Sequence, residues 1–390
     1  MFAKRMERLG TETAFEVLAR ARELEREGRD IVHLEIGEPD FDTPSFIADA
    51  AVDALRSGFT HYGPSAGDPE VRGAIAEHVN ATRGLHATAD NVVVTPGAKP
   101  ILFFTLLACV DEGDEVIYPE PGFPIYESVT RFLNAKPVPI RLKEEKGFAV
   151  DAEDIEPLLT PKTRFIILNS PHNPTGGVTP KENLVRIAEL LRGRDIWVLS
   201  DEVYSRILYE GENSSIASLP GMEDRTILLD GHSKTYAMTG WRLGYGVMRK
   251  DLATHVTRLM TNSNSCTNVF VQRAGMAALR GPQQEVTSMV AEFRRRRDVI
   301  VDGLNAIPGV SCFRPKGAFY VFPNVTKLGF ESRVLAKELL EKGGVAALSG
   351  TAFGAGGEGY LRFSYANSVE NIEKAVGRMR EYLSGVGAAR

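Results

Sequence analysis

Apolar and polar positions follow two rhythms along the chain, and the change between them divides it. Toward the amino terminus Phe15, Leu18 and Leu24 recur among charged residues at helical spacing, which predicts a helix over Thr13–Arg26 closed by Gly28. A short strand is expected over residues 31–36. It stops at Gly37-Glu38-Pro39-Asp40, a turn in which Gly37 reads as the residue able to take a backbone conformation that others avoid. Helical spacing returns over Ser45–Arg56, and the Gly- and Pro-punctuated stretch 58–67, which carries His61 and Tyr62, reads as a loop.

From Asn91 onward short continuous apolar runs alternate with helix-like segments. Strands are expected over residues 92–94, 115–118, 164–168, 196–200 and 226–229, with a strongly apolar buried helix over 101–110. Such runs, separated by helices, predict an α/β fold with a mostly parallel sheet covered on both faces. Beyond Pro282 the pattern becomes a charged helix over 285–304, a stretch over 310–322 containing Lys316-Gly317-Ala318-Phe319-Tyr320, and a helix over 334–340. The expected organisation is a large domain over residues 47–284 and a smaller α/β domain over 285–390, the latter completed by an N-terminal segment, 1–46. The site is expected in the cleft between them.

Composition narrows the function classes. With 390 residues, 43% apolar and 25% charged, the chain is long enough for two sizeable cores. A formal charge of −5 offers no electrostatic case for nucleic acid or an anionic membrane. The run Arg294-Arg295-Arg296-Arg297 has acidic neighbours in a helical stretch and reads as a solvated face. Cys109, Cys266 and Cys312 are widely separated and lack metal-type spacing, which fits buried thiols in a reducing compartment and no metal site. The first residues run into a charged helical segment without an apolar signal core, and no stretch approaches the roughly 18 apolar residues of a membrane span. A cytoplasmic protein is expected.

The unusual residues fall at consecutive strand ends, where chemistry collects in such sheets. After residues 165–168 comes Asn169-Ser170-Pro171-His172-Asn173-Pro174-Thr175-Gly176; after 197–199 comes Ser200-Asp201-Glu202-Val203-Tyr204; after 227–229 comes the loop carrying Lys234 and Arg242. Singly, Asn173-Pro174 is a turn, Asp201 a helix N-cap, Arg242 a surface charge and Lys234 a loop lysine reaching water. Three such loops side by side make coincidence a poor explanation. A lysine between two buried apolar runs loses part of its preference for charge and becomes a usable amine nucleophile, as Schiff-base chemistry requires. The turn Thr95-Pro96-Gly97-Ala98-Lys99, between a strand and a helix, offers backbone N–H groups and the positive end of a helix dipole to a phosphate. It lacks the dinucleotide glycine fingerprint and the Walker spacing, which argues against a nicotinamide enzyme or a P-loop NTPase.

Four motifs in order, Ser-Pro-His-Asn-Pro-Thr-Gly at 170–176, Ser-Asp-Glu-Val-Tyr at 200–204, Ser-Lys-Thr-Tyr-Ala-Met-Thr-Gly-Trp-Arg at 233–242 and Leu-Arg-Phe-Ser-Tyr-Ala at 361–366, resemble the class I and II aminotransferases. The Gly-Glu-Pro-Asp-Phe turn at 37–41 is similar to that of their aspartate-aminotransferase-like branch. The resemblance implies a fold-type I enzyme using pyridoxal 5′-phosphate, with residues 47–284 as the cofactor-binding domain. By the same resemblance Lys234 would carry the cofactor as a Schiff base and then move a proton, and Asp201 would pair with the pyridine nitrogen. Tyr204 and Asn173 would hydrogen-bond the ring oxygen, and Phe123 would stack on the ring where many relatives carry tryptophan. Phosphate would be shared by the Ala98 and Lys99 backbone, Ser233 and Arg242, with Tyr62 arriving from the second subunit of a homodimer. Arg362 would bind the substrate α-carboxylate, helped by Gly37 and Asn173.

The implied reaction is amino-group transfer between an L-amino acid and a 2-oxo acid such as 2-oxoglutarate. A lyase on the same fold (of carbon–sulfur type) and a non-catalytic regulator are the alternatives. Lys99 stands where dicarboxylate-using members carry a lysine, which favours aspartate or glutamate. Glu12 and Ala14 stand where those members tend to carry small hydroxyl residues, so Glu12 repels a second carboxylate, attracts a cationic side chain, or faces solvent.

Overall fold

A computed structural model describes residues 1–387. Its strands are β1 (Val32–His33), β2 (Val92–Thr95), β3 (Glu115–Glu120), β4 (Lys136–Arg141), β5 (Thr163–Asn169), β6 (Trp197–Asp201), β7 (Thr226–Gly231), β8 (Gly244–Val247), β9 (Tyr320–Val321), β10 (Val345–Ala346), β11 (Leu348–Ser349) and β12 (Leu361–Ser364). Seven of them form one sheet in the order β2-β8-β7-β6-β5-β3-β4, and β8 alone runs antiparallel to its neighbours. The α/β architecture expected from the alternating runs is therefore present.

Those runs are continuous rather than alternating because both faces of the sheet are covered. Phe165, Ile167, Leu199 and Ile227 enter a core shared with the helices Lys99–Cys109 and Lys250–Ser263. Ile166, Leu168 and Val198 enter another, against Lys181–Leu191. Each such side chain contributes roughly 1.5–3 kcal/mol on burial. A separate core gathers Val32, Leu34, the helices Gln284–Asn305, Ser332–Glu341 and Val369–Gly387, and strands β9 and β12. Val32 and Leu34 thus pack with the C-terminal part, and β1 pairs with β10 in parallel, whereas Arg8 donates to the Arg131 carbonyl and the Gly10 N–H to Ser128 Oγ, inside the stretch 47–284.

Several sequence expectations change. The strand expected over 31–36 is only Val32–His33, because the Glu35 carbonyl accepts from the Arg362 guanidinium instead of continuing a ladder. Gly37 does not have a positive φ. A Cβ there would lie 2.1 Å from the Tyr320 hydroxyl oxygen, so it is close approach that favours glycine. The arginine run is only half solvated: Arg294 and Arg295 are exposed, but Arg296 and Arg297 are buried. Helical rotation turns these two toward the core, where Arg296 bonds Asp40 at 2.6 Å and stacks on Phe41, and Arg297 reaches the Pro315 carbonyl at 3.0 Å. Cys312 is buried as expected, whereas Cys109 and Cys266 are half-buried. No helix among the described residues is long and apolar enough to cross a membrane, and no cluster of His, Cys, Asp and Glu among them could hold a metal ion.

Below the carboxyl edge of the sheet lies a buried ionic network. Arg83 ends the helix Pro69–Arg83, which Gly84 closes in the left-handed region with φ 68°. Its guanidinium donates to Glu202 Oε2 at 3.2 Å, to Ser205 Oγ at 2.8 Å and to the Asp230 carboxylate. Burial raises the Asp230 pKa and Arg83 opposes that rise. Removing one partner strands the others, at a cost of about 3–5 kcal/mol. Arg83→Ala is therefore expected to lower the denaturant midpoint substantially, whereas Arg295→Ala, on the exposed side of its helix, leaves it nearly unchanged; equal midpoints for the two variants would contradict the network's role.

Candidate active site

Lys234 sits in a single helical turn, His232–Thr235, at the end of β7, half-buried at the wall of a cavity of about 510 Å³. Its Nζ donates to the Gly37 carbonyl at 2.6 Å. Two further bonds hold the N-terminal turn on the lysine loop, Thr239 to the Glu38 carboxylate and Thr43 Oγ1 to the Ala237 carbonyl at 2.7 Å. Burial pulls the Lys234 ammonium down to about 8; Glu38 opposes this, while the positive charges of Arg242, Arg362 and Lys99 reinforce it. Roughly a tenth of the amine is thus free at pH 7, against a negligible fraction for an ordinary lysine.

Asp201 ends β6, one strand away. Tyr126 donates to its Oδ2 at 2.6 Å. Burial pushes the Asp201 carboxyl up to about 6, Tyr126 and the Val203 N–H hold it down, and the Asp230 and Glu202 carboxylates add to the rise. It is a dry anion with one side-chain donor, placed to favour a protonated base brought against it. On β5 the Asn169 Nδ2 donates to the Asp201 carbonyl at 3.0 Å while its Oδ1 accepts the Asn173 N–H at 3.0 Å, so neighbouring strand ends position one another.

At another side of the cavity β2 turns through Gly97, φ 91°, into the helix Lys99–Cys109, whose first N–H groups receive no side-chain cap. A Cβ on Gly97 would lie 2.2 Å from Arg242 Nη2, and one on Gly244 would lie 2.3 Å from Ala98 N. Arg242 itself has φ 56°, donates to the Thr239 carbonyl at 2.8 Å, and is exposed. Ala98, Ser233 and Arg242 line the cavity together. Uncapped helix amides facing a guanidinium form a cradle for a doubly charged anion.

Arg362, on β12, is buried between the rings of Tyr320 and Phe353, with centroids 4.6 and 4.9 Å from its Cζ. It donates to the Glu35 carbonyl and to Asn173 Oδ1 at 3.3 Å. Its Nε finds no partner among the described residues. A buried guanidinium without a carboxylate partner is costly, and an anion entering the cavity relieves that cost.

The cavity wall thus includes Gly37, Ala98, Lys99, Phe123, Asn173, Asp201, Tyr204, Ser233, Lys234, Arg242 and Arg362. Tyr62 is not among them; it is 91% exposed on this chain. Tyr204 bonds the Tyr320 hydroxyl at 2.7 Å, and Glu12 contacts Lys99 instead of facing solvent. Two residues escaped sequence reasoning. Tyr126 lies three positions after Phe123, a helical spacing that could have revealed a second cavity-facing aromatic; Tyr320, in Ala318-Phe319-Tyr320, carried no signal beyond an aromatic pair.

Comparison with known proteins agrees with this geometry. Residues 29–379 match the family Aminotransferase class I and II. The probable aspartate/prephenate aminotransferase of Aquifex aeolicus is 40% identical over 98% of this chain and 99% of that protein. The arginine–pyruvate transaminase of Pseudomonas aeruginosa is 39% identical over 94% of this chain and 93% of that protein. The solved structure of the aspartate aminotransferase of Thermus thermophilus with maleate superposes with a TM-score of 0.93 at 38% identity, covering 98% of this chain and 99% of that one.

The depressed Lys234 pKa has a direct readout. In cofactor-free protein, acetylation of Lys234, followed by mass spectrometry of its peptide across pH, is expected to rise with a midpoint near 8, where the ammonium loses its proton. A midpoint at the ordinary 10.5 would contradict the burial argument.

Proposed function

The chain belongs to the class I and II aminotransferases and is a pyridoxal-phosphate-dependent transaminase, moving an amino group between an amino acid and a 2-oxo acid; from that premise we propose how its own residues divide the work. Lys234 Nζ is the covalent anchor and the proton carrier, because it is the depressed amine in the cavity. When bound, pyridoxal phosphate supplies an electron sink conjugated to the amino acid's Cα.

The residues present fit that group. Ala98 and Lys99 backbone amides, Ser233 and Arg242 would hold its phosphate in the cradle that the glycine at 97 leaves open. Asp201 would hold a proton on the ring nitrogen, and Tyr126 keeps the Asp201 carboxylate aimed and ionised. Phe123 offers an apolar ring face. Tyr204 and Asn173, both on the cavity wall, would hydrogen-bond the ring oxygen. Arg362 orients the α-carboxylate, with Gly37 and Asn173 beside it, and so places the Cα proton within reach of Lys234 Nζ. Lys234 Nζ takes that proton and later returns it. The turn at 37–41 covers one side of the amine through the Gly37 carbonyl.

The chain works as a homodimer in which Tyr62 reaches the partner's phosphate site. Its near-complete exposure leaves an aromatic side chain that a second copy would cover, and Phe2 is exposed to the same degree. Residues 47–284 form the cofactor-binding domain, with 1–46 and 285–390 as the smaller unit, of which 388–390 lie outside the described residues, and the protein resides in the cytoplasm. The lyase alternative is not favoured, since the relatives are named for amino-group transfer.

Two outcomes check these roles. Lys234→Ala is expected to lower turnover by roughly four orders of magnitude with the fold retained, read by adding amino acids to cofactor-loaded protein and following its absorbance. Arg362→Ala is expected to cost about 2–5 kcal/mol in kcat/KM for amino acids while cofactor affinity, titrated separately, changes far less; a dominant loss of cofactor affinity would contradict the assignment.

A further inference from the structure

The assignment above leaves open which side chain the cavity accepts, and the inference that follows rests on that assignment. The relevant wall is the start of the helix Thr13–Arg26. Glu12 holds the N-cap position of this helix, yet its carboxylate makes no capping bond. It instead reaches across to the Lys99 ammonium, 87 residues away in sequence. The Glu12 side chain is 21% exposed and the Lys99 side chain 44%, and both line the main cavity. The Lys99 Nζ also lies 5.3 Å from the centroid of the Phe123 ring.

The surroundings of this pair are apolar. Ala14, Phe15, Leu102 and Phe123 line the same cavity. A satellite space of about 20 Å³ continues from Glu12 and Ala14 past Leu348 and Phe353 to Arg362. An amino acid held by its α-carboxylate on Arg362 would project its side chain into this region. We propose that Glu12 cancels the charge of Lys99, making the side-chain subsite a neutral, apolar one that takes amino acids with uncharged apolar or aromatic side chains in preference to aspartate and glutamate.

Charge arithmetic supports the choice. A second substrate carboxylate approaching Lys99 meets the Glu12 carboxylate at similar range, so attraction and repulsion nearly cancel while the cost of leaving water remains. A cationic side chain drawn to Glu12 meets Lys99 in the same way. An apolar side chain pays neither cost and gains from the Phe15, Leu102 and Phe123 surfaces. Overall likeness does not decide the matter, because relatives named for aspartate/prephenate and for arginine–pyruvate are 40% and 39% identical. The local pair acts both by what it attracts and by what it rejects.

The test compares cofactor-loaded wild type with Glu12→Gln, which keeps the side-chain volume and removes the charge. Two readouts are used: kcat/KM for phenylalanine, aspartate and arginine with pyruvate as acceptor, and equilibrium binding of the non-reacting acids 3-phenylpropionate and succinate. Wild type is expected to favour phenylalanine over both charged amino acids, and 3-phenylpropionate over succinate. Glu12→Gln is expected to shift the aspartate-to-phenylalanine and succinate-to-phenylpropionate ratios toward the dicarboxylate by about fivefold or more. A smaller shift overturns the proposal, as does a wild-type preference for aspartate or for arginine. Retention of the cofactor absorbance by Glu12→Gln certifies its fold. Should no amino acid alter the wild-type cofactor spectrum, the catalytic roles assigned above fail, and the inhibitor ratio still decides the subsite by itself.

Discussion

The structure depends on keeping several charges dry at one edge of a sheet. Lys234, Asp201 and Arg362 stand around a single cavity, and each has its pKa moved by burial in the direction that disfavours its charged form. The fold holds them with groups that have little freedom to relax. Asp201 receives the Tyr126 hydroxyl, Arg362 is clamped between two rings, and Arg83 holds Glu202 and Asp230, the carboxylates flanking Asp201 in sequence and in the sheet. Burial is costly for every one of these groups alone. Together they form a preorganised field in which an anionic, nitrogen-bearing ring and a carboxylate substrate complete the pairing.

The site draws on both the central sheet and the smaller core beside it. Lys234 arrives on β7 and Asp201 on β6, but the carbonyl that receives the lysine belongs to Gly37, and Arg362, proposed to take the α-carboxylate, comes from β12. Arg362 touches Glu35 on one side and Asn173 on the other, so one side chain joins the N-terminal segment, the C-terminal strand and the loop after β5. Any movement of the smaller core relative to the sheet would alter the spacing between Lys234 and Arg362. That coupling gives substrate binding a mechanical means of closing the site.

Specificity and chemistry are separable in this arrangement. The groups proposed to handle the amine, the ring and the phosphate lie at strand ends and a helix start, where backbone geometry fixes them. The Glu12–Lys99 pair lies at the rim, on two flexible side chains, and either can change without disturbing the sheet.

Much of this was legible in the sequence because it is local. Continuous apolar runs reported a sheet covered on both faces, and the residues directly after those runs reported the strand-end site, since a residue following a parallel strand emerges at its carboxyl edge wherever the chain goes next. Lys234, Asp201 and Asn173 were found in this way, and their motifs brought Phe123, Arg242 and Arg362 with them. Contacts between distant segments were not legible. Nothing near Arg296 announces that Asp40 and Phe41 will bury it, nothing near Gly37 announces the Tyr320 hydroxyl, and nothing near Glu12 announces Lys99. The sequence by itself determined the sheet, the strand-end loops and the kind of chemistry, because hydrophobic period and chain direction act over a few residues. The tertiary structure alone decided which charges meet, and with them the depressed lysine and the Glu12–Lys99 pair, because burial and pairing depend on residues 87 and 197 positions apart being brought within ångströms.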